Sequence, residues 1–359
     1  MRQSQTTVGK NTSIMTTKQC VLMQHGLFLT WHTNNVGTCC YNIKDPRNYK
    51  SYDVDPESCQ ACLDQENNGI YSYRQGVNQK YGLEHSHRLP LVLDLTPNRN
   101  CNLTCKICSE YSSSSWAKLK QIKISPDYNT SIKNFERQIA DHDLSQVKEI
   151  NFSGGETFLN NNISRYINRL ESKINFSQCT LRFVSNGTYR LTASIIDLFT
   201  KFKLVQARFS FDDIGSGYEY QRSPAVWGQV ENHWQYFLDH MPHNTMVAIN
   251  RTVSVLNINR LHLLDQWHAK SFRYSRFQDP IELIDHFAFG PYNINTVPDK
   301  LKQLILNSHG NNSRAWSYIK NRPVNDNIHN LKSTINQHDA LHHTSLEQFD
   351  PDLYRALFI

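Results

Sequence analysis

The stretch CNLTCKIC sets Cys101, Cys105 and Cys108 at the spacing C-x3-C-x2-C, three thiols within eight residues. Thiolates so close together suit a metal centre. A [4Fe–4S] cube takes four of them, so three leave one iron open to a substrate or cofactor, much as catalytic zinc keeps an open position. The competing possibility is a zinc site completed by a distant residue, with His85 and His87 upstream. Structural zinc sites favour paired C-x2-C ligands. Five more thiols, Cys20, Cys39, Cys40, Cys59 and Cys62, precede the motif, and Cys179 follows it. Cys59 and Cys62 form a C-x2-C pair. A β-hairpin is expected over Gly26–Cys40, turning at Asn34-Asn35. One thiol before the hairpin, one after it and the pair give four ligands, enough for a second cluster or for a four-thiolate zinc knuckle. Adjacent strand residues point to opposite faces, so only one of Cys39 and Cys40 should ligate. Cys179, alone before a strand, reads as a small buried hydrophobe. His338 and His342 stand one helical turn apart with no third ligand, and a solvated helix face is expected for them.

Bulk properties narrow the classes. Hydrophobic residues make up 39% of the 359-residue chain, which supports a sizeable core. The formal charge is +6, and no block of Lys or Arg runs beyond two or three residues, so dedicated nucleic-acid binding is not expected. No apolar run approaches the roughly 18 residues that span a bilayer. The first 19 residues are polar, lack the apolar core of a signal peptide and read as a disordered tail, with Met15 an alternative start. A cytosolic setting follows, in which thiols stay reduced and metal binding is the better reading of clustered cysteines.

The chemistry needs elements to position it. Apolar strands are expected at 91–96, 146–152, 181–185, 205–211, 246–255 and 272–277. Helices are expected near 110–121, 160–173, 191–202, 224–240 and 259–268. Strands separated by helices imply right-handed crossovers and a parallel sheet. Six such units predict an α/β fold: a partial (β/α)6 TIM-like barrel over 89–280. A small cysteine-rich β-hairpin domain precedes it over 20–88, and a helical C-terminal extension with no recognisable site follows over 281–359. In such barrels the chemistry sits at the C-terminal ends of the strands. Polar or glycine-rich groups do follow the expected strands: the cysteine loop, SGGE from Ser153 to Glu156, SNGT from Ser185 to Thr188, SFDD from Ser210 to Asp213, and Asn257.

A three-cysteine loop after the first strand of a partial barrel resembles the radical S-adenosylmethionine (radical SAM) enzymes. The resemblance spans about residues 90–280. It implies that Cys101, Cys105 and Cys108 hold a [4Fe–4S] cluster whose open iron chelates S-adenosylmethionine, and that an electron from the cluster cleaves the sulfonium to a hydrogen-abstracting 5′-deoxyadenosyl radical. Ile107 stands where the family often has an aromatic residue. SGGE is similar to the family's Gly-Gly-Glu motif, which implies that Gly154 and Gly155 admit the methionine part of the cofactor and that Glu156 accepts from its ammonium. Ser185 and Asn186 match a strand-ending Ser/Thr-Asn-Gly. SFDD…YEYQR implies cofactor contacts from Ser210 and Arg222, and TVSVLNINRL places Val255 and Asn257 near adenine. The N-terminal thiols resemble the auxiliary-cluster modules called twitch or SPASM domains, although those usually follow the barrel. Together these imply a second [4Fe–4S] cluster, an electron donor such as flavodoxin or ferredoxin, and modification of a peptide or protein. Oxidation of a sugar or other small polar molecule is the enzymatic alternative, and a non-catalytic zinc protein the alternative from another class.

Overall fold

The computed structural model describes residues 19–30, 36–39, 51–67, 71–85, 89–123, 132–159, 162–273, 280–295 and 297–359. Eight strands form one sheet: β1 Gly26–Thr30, β2 Val36–Gly37, β3 Val92–Thr96, β4 Glu149–Phe152, β5 Thr180–Ser185, β6 Leu204–Ser210, β7 Thr245–Val253 and β8 Glu282–Phe287. Their order is β2-β1-β3-β4-β5-β6-β7-β8. Only β1 and β2 run antiparallel; every other neighbouring pair is parallel. The sheet is open, with β2 and β8 as its edges. This is the expected partial barrel, with one more parallel strand than the six expected.

Alternation explains why these segments are strands and which way they face. In β6, Val205, Ala207 and Phe209 are buried in the main apolar core, while Gln206, Arg208 and Ser210 point to the opposite face, into the barrel. The same parity sends Leu93 and Leu95, Ile150 and Phe152, Leu181 and Phe183, and Val247 and Ile249 outward to the helices. Helix Trp227–His240 meets them with Trp227, Val230, Trp234, Phe237 and Leu238, a spacing that lines one helical face. Trp234 and Phe237 pack edge-on against Phe209, with ring centroids 5.1 and 4.6 Å away. Each such burial contributes roughly 1.5–3 kcal/mol. Cys179, fully buried, belongs to this core.

One expectation is corrected. The last strand is β8, not 272–277: helix Leu261–Arg273 runs through the start of that span, and residues 274–279 lie outside the described ones. Glu282 and Asp285 hide the apolar alternation of β8, and Asp285 is consumed by an outward ion pair with Arg251 (Nε–Oδ1 2.8 Å). The N-terminal hairpin joins the same sheet. Its strand β1 lies in five-residue parallel register with β3, from Gly26↔Val92 to Thr30↔Thr96. Gly26 lets the segment after β2 pack against β1, because a Cβ there would lie 1.9 Å from the Thr38 carbonyl oxygen.

The C-terminal extension is helical, as expected. Helices Asp299–His309, Arg314–Ile319, His329–His342, Leu346–Phe349 and Pro351–Phe358 build a second apolar core around Leu301, Ile305, Ile319, Leu331, Ile335 and Leu353. No helix among the described residues is long and apolar enough to cross a membrane.

Candidate functional site

The loop after β3 is held by its own backbone and by serines from the next helix. Ser113 Oγ donates to the Leu103 carbonyl (2.7 Å), Ser115 Oγ to that of Cys101 (2.7 Å), and Trp116 Nε1 to that of Cys105 (2.9 Å). Thr104 N and Lys106 N donate to the Ser223 and Gln221 carbonyls (2.7 and 2.8 Å), tying the loop to the segment after β6. The SGGE turn docks on it from the other side, where Glu156 N donates to the Asn100 carbonyl (2.7 Å). Gly154 and Gly155 have φ of +79° and +46°. Added Cβ atoms would lie 2.3 Å from Thr96 Cγ2 and 2.2 Å from the Asn100 oxygen. The glycines therefore let two loops of the chain itself approach.

A cavity of about 370 Å³ opens at this end of the strands. Its wall contains Cys101, Cys105, Ile107, Cys108, Gly154 and Gly155. Ser185, Asn186, Ser210 and Arg222 complete the set of expected residues on it. The volume lies in the range of small-molecule sites. Burial pushes the Cys105 and Cys108 thiols up to about 12 and Cys101 to about 11. Metal binding there must displace protons. Arg222, buried, offsets this in part: its Nη1 lies 3.7 Å from Cys105 Sγ. The guanidinium is fixed by Asp212, whose Oδ2 accepts from Nε at 2.8 Å and lies 2.7 Å from Nη2. Burial opposes the Arg222 charge, but the Asp212 carboxylate outweighs it and the pKa rises. Among the described residues no group of three or more His, Cys, Asp or Glu side chains is arranged to hold a single metal ion. The barrel thiols are spread around a space instead.

Three expected cofactor residues lie elsewhere. Glu156 is buried behind the wall, and its carboxylate is already occupied. Oε1 accepts from Ser185 Oγ (2.9 Å) and Phe158 N (3.2 Å), and Oε2 from Asn186 N (2.7 Å). It joins the loops after β4 and β5. Asn257 is spent on a turn, donating from Nδ2 to the Asp212 and Thr252 carbonyls (2.9 Å each) while Oδ1 accepts from Ser254 N (2.8 Å). Val255 belongs to the C-terminal apolar core. Both therefore serve the strand-to-helix junction.

The N-terminal thiols also converge. Cys20, Cys39, Cys59 and Cys62 are buried and line one small cavity of about 20 Å³ with Leu22, Met23, Thr38, Tyr73 and Arg74. Cys40 and His87 fall outside the described residues. Cys62 opens helix Gln60–Asn67, and its backbone N–H donates to the Cys59 carbonyl (3.1 Å). Helix Tyr73–Tyr81 presents Arg74 because a capping box starts it: Ser72 Oγ accepts from Gln75 N (3.1 Å), and Gln75 Oε1 accepts from Ser72 N (3.0 Å). Arg74 pairs with Glu66. Burial pushes Cys20 up to about 12 and raises Cys62. His85 lies against His25, ring centroids 4.4 Å apart, and lines neither thiol cavity.

Sequence reasoning missed the brace from the C-terminal extension. Lys106, inside the cysteine motif, is fully buried; its ammonium pairs with Asp339 (2.8 Å) and sits 4.3 Å from the Tyr220 ring centroid. His338 and His342 do not face solvent. They pack on Trp116 at 4.8 and 5.1 Å between centroids, and Tyr292 Oη lies 2.9 Å from His338 Nδ1. A lysine between two cysteines of the motif was the available signal. Asp212 was legible only as part of SFDD.

No protein-family model and no curated protein matches this chain. Solved structures are similar to parts of it. One, described as native anSMEcpe with bound AdoMet, has a TM-score of 0.42 and 14% identity over 66% of this chain and 64% of its own. Another, Streptococcus suis SuiB bound to precursor peptide SuiA, has a TM-score of 0.39 and 13% identity over 83% of this chain and 55% of its own. The chain thus matches less than two thirds of the length of either.

Proposed function

We propose that this chain is a radical SAM enzyme. The observation that carries the reading is the cavity at the C-terminal ends of the parallel strands, where Cys101, Cys105 and Cys108 share one wall with Gly154, Gly155, Ser185, Asn186, Ser210 and Arg222. Three thiols with no fourth Cys, His, Asp or Glu beside them on the described wall, set around a space with room to spare, fit a [4Fe–4S] cluster with one open iron. When bound, that cluster supplies the site for S-adenosylmethionine and the electron that cleaves it to a 5′-deoxyadenosyl radical. The chain's own residues do the rest. Arg222 places a fixed positive charge beside the Cys105 sulfur and favours its thiolate. Ile107 shields the cysteine loop from water on one side. Ser210 and Asn186 offer hydrogen bonds on the wall, where Asn186 Nδ2 donates to Asn102 Oδ1 at 3.1 Å. Glu156 holds two of the loops in register and leaves the cofactor contacts to the wall.

For the N-terminal module we propose a metal centre on Cys20, Cys39, Cys59 and Cys62. An auxiliary [4Fe–4S] cluster agrees with the twitch-like resemblance. A four-thiolate zinc knuckle is the alternative that the same ligand count allows. The proposed substrate is a peptide or protein, the proposed setting cytosolic, and the proposed reductant an external donor such as flavodoxin or ferredoxin. The deciding experiment reconstitutes the protein anaerobically with iron and sulfide, reduces it and adds S-adenosylmethionine. 5′-Deoxyadenosine is the expected product, and its absence from protein carrying a full barrel cluster would sink the reading.

A further inference from the structure

The barrel interior below the cavity is polar and mostly self-satisfied. Asp94 of β3 accepts from Asn151 Nδ2 of β4. Arg182 of β5 lies 2.8 Å from Glu149 Oε1 and donates to Gln206 Oε1 at 2.8 Å. One cation in this set is different. Arg208 sits on the inward face of β6, two residues before Ser210 on the cavity wall and hence about 7 Å deeper by strand rise. Across the sheet it is in register with Val184 on one side, itself on the cavity wall, and with Ala248 on the other. Arg208 makes no hydrogen bond and no ion pair among the described residues. Glu282 occupies the same row on β8, beyond the small side chain of Ala248, and no ion pair joins it to Arg208. Loss of water, and then the neighbouring Arg182 guanidinium, pull the Arg208 pKa down to about 10, so it still carries its charge at neutral pH.

Among the described residues, two further groups on neighbouring strands lack hydrogen-bond partners. Asn250 Oδ1 on β7, in register with Ser210, is buried without a donor, and so is Nε2 of His286 on β8. A half-buried cation with no hydrogen bond or ion pair among the described residues is costly, even with the Glu282 and Glu149 charges near it, and buried polar atoms without a partner there add to the cost. Native interiors keep such groups where a ligand completes them.

We propose that Arg208 anchors the substrate by a carboxylate, with Asn250 Oδ1 taking an N–H of the same molecule. The reading rests on the proposed radical chemistry of the overlying cavity. One guanidinium balances one negative charge, and its fork matches a carboxylate bidentately. An acid group beside an amide N–H is what an aspartate, a glutamate or a C-terminal residue of a peptide presents. Held at this depth, the substrate's next atoms reach toward Ser210 and the thiol wall.

The test is calorimetric titration of the full chain, reconstituted with iron and sulfide and saturated with S-adenosylmethionine. The probes are N-acetylglutamate N-methylamide, its neutral glutamine counterpart, and propionate. The wild type is expected to bind the blocked glutamate at least about tenfold more tightly than the blocked glutamine, as a charge-assisted hydrogen bond implies. That gap should vanish in Arg208→Gln and survive in part in Arg208→Lys. Propionate binding as tightly as the blocked glutamate would support the carboxylate anchor and point to a free acid as its source. Without ligand, Arg208→Gln should melt higher than the wild type, because an uncompensated cation is gone; a structural arginine would give the opposite. Equal or absent binding of both blocked residues by the wild type, a gap that survives Arg208→Gln, or a lower melting temperature for that variant would overturn the anchor. Production of 5′-deoxyadenosine by the wild type is scored separately. Its failure beside intact Arg208-dependent binding removes the radical reading and spares the anchor, and the reverse pattern removes only the anchor.

Discussion

Glu156 marks the difference between a residue type and its use. A glutamate after two glycines suggests a partner for a cofactor ammonium, yet its carboxylate faces the Ser185 hydroxyl and the Asn186 and Phe158 backbone N–H groups. Removing it leaves buried donors without an acceptor, each costing about 1–3 kcal/mol. Glu156→Ala is therefore expected to lower the unfolding free energy by about 3 kcal/mol or more in urea titrations. Glu156→Gln, which keeps one acceptor oxygen, should lose less. Unchanged stability with weakened S-adenosylmethionine binding would return Glu156 to the cofactor. Arg222 shows the converse. Its type and position were legible in YEYQR, but Asp212, which locks its guanidinium toward Cys105, is ten residues away in sequence and is brought to it by the turn after β6.

Among the elements, helix His329–His342 departs most from expectation. Its two histidines stand against Trp116, one helical turn apart, and the neighbouring Asp339 holds the Lys106 ammonium. Burial first, and the Lys106 charge second, lower both imidazoles from 6.5 to about 4. For His338, Lys120 adds to this and Asp339 opposes it. Between those values the unfolded chain binds more protons than the folded one. The stability these residues contribute is full above pH 6.5 and is lost as the pH falls toward 4. Asp94, raised to about 6 by burial, works in the other direction, and its contribution is lost as the pH rises from its ordinary 3.8 through about 6. Urea midpoints measured from pH 7.5 to 4.5 should drop on the acid side. The drop should be shallower in His338→Gln/His342→Gln. An identical pH profile in that variant would mean that the imidazoles are not held neutral.

At the scale of the molecule, the continuous sheet matters most. Because β1 pairs with β3, the module carrying Cys20, Cys39, Cys59 and Cys62 shares its backbone hydrogen bonds with the strand that leads into the barrel thiols. The two proposed metal sites can still be separated chemically. In Cys59→Ala/Cys62→Ala, metal analysis should show loss confined to one centre: iron falling from roughly eight to roughly four per chain if both are cubes, or zinc lost with iron unchanged if the N-terminal centre is mononuclear. Loss of all metal together would mean that the two sites assemble as one.

The sequence by itself determined the alternation of strands and helices, the parallel sheet, and which loops carry CNLTCKIC, SGGE, SNGT and SFDD, because strand parity and the placement of loops at strand ends are local and periodic properties. It also marked most of the cavity wall, from Cys101 to Arg222. Only the tertiary structure decided how polar side chains divide between wall and scaffold. Glu156 and Asn257 turned inward because backbone donors and carbonyls from distant loops reached them first. Lys106, His338 and His342 became a brace because the C-terminal helices pack on the cysteine loop some 230 residues away in sequence, as the Lys106–Asp339 pair measures. Arg208 forms no hydrogen bond or ion pair among the described residues, and the neighbour that shares its row toward β8 is an alanine. Such competition between groups far apart in the chain has no periodic signature in the sequence, since it is settled by distance in space.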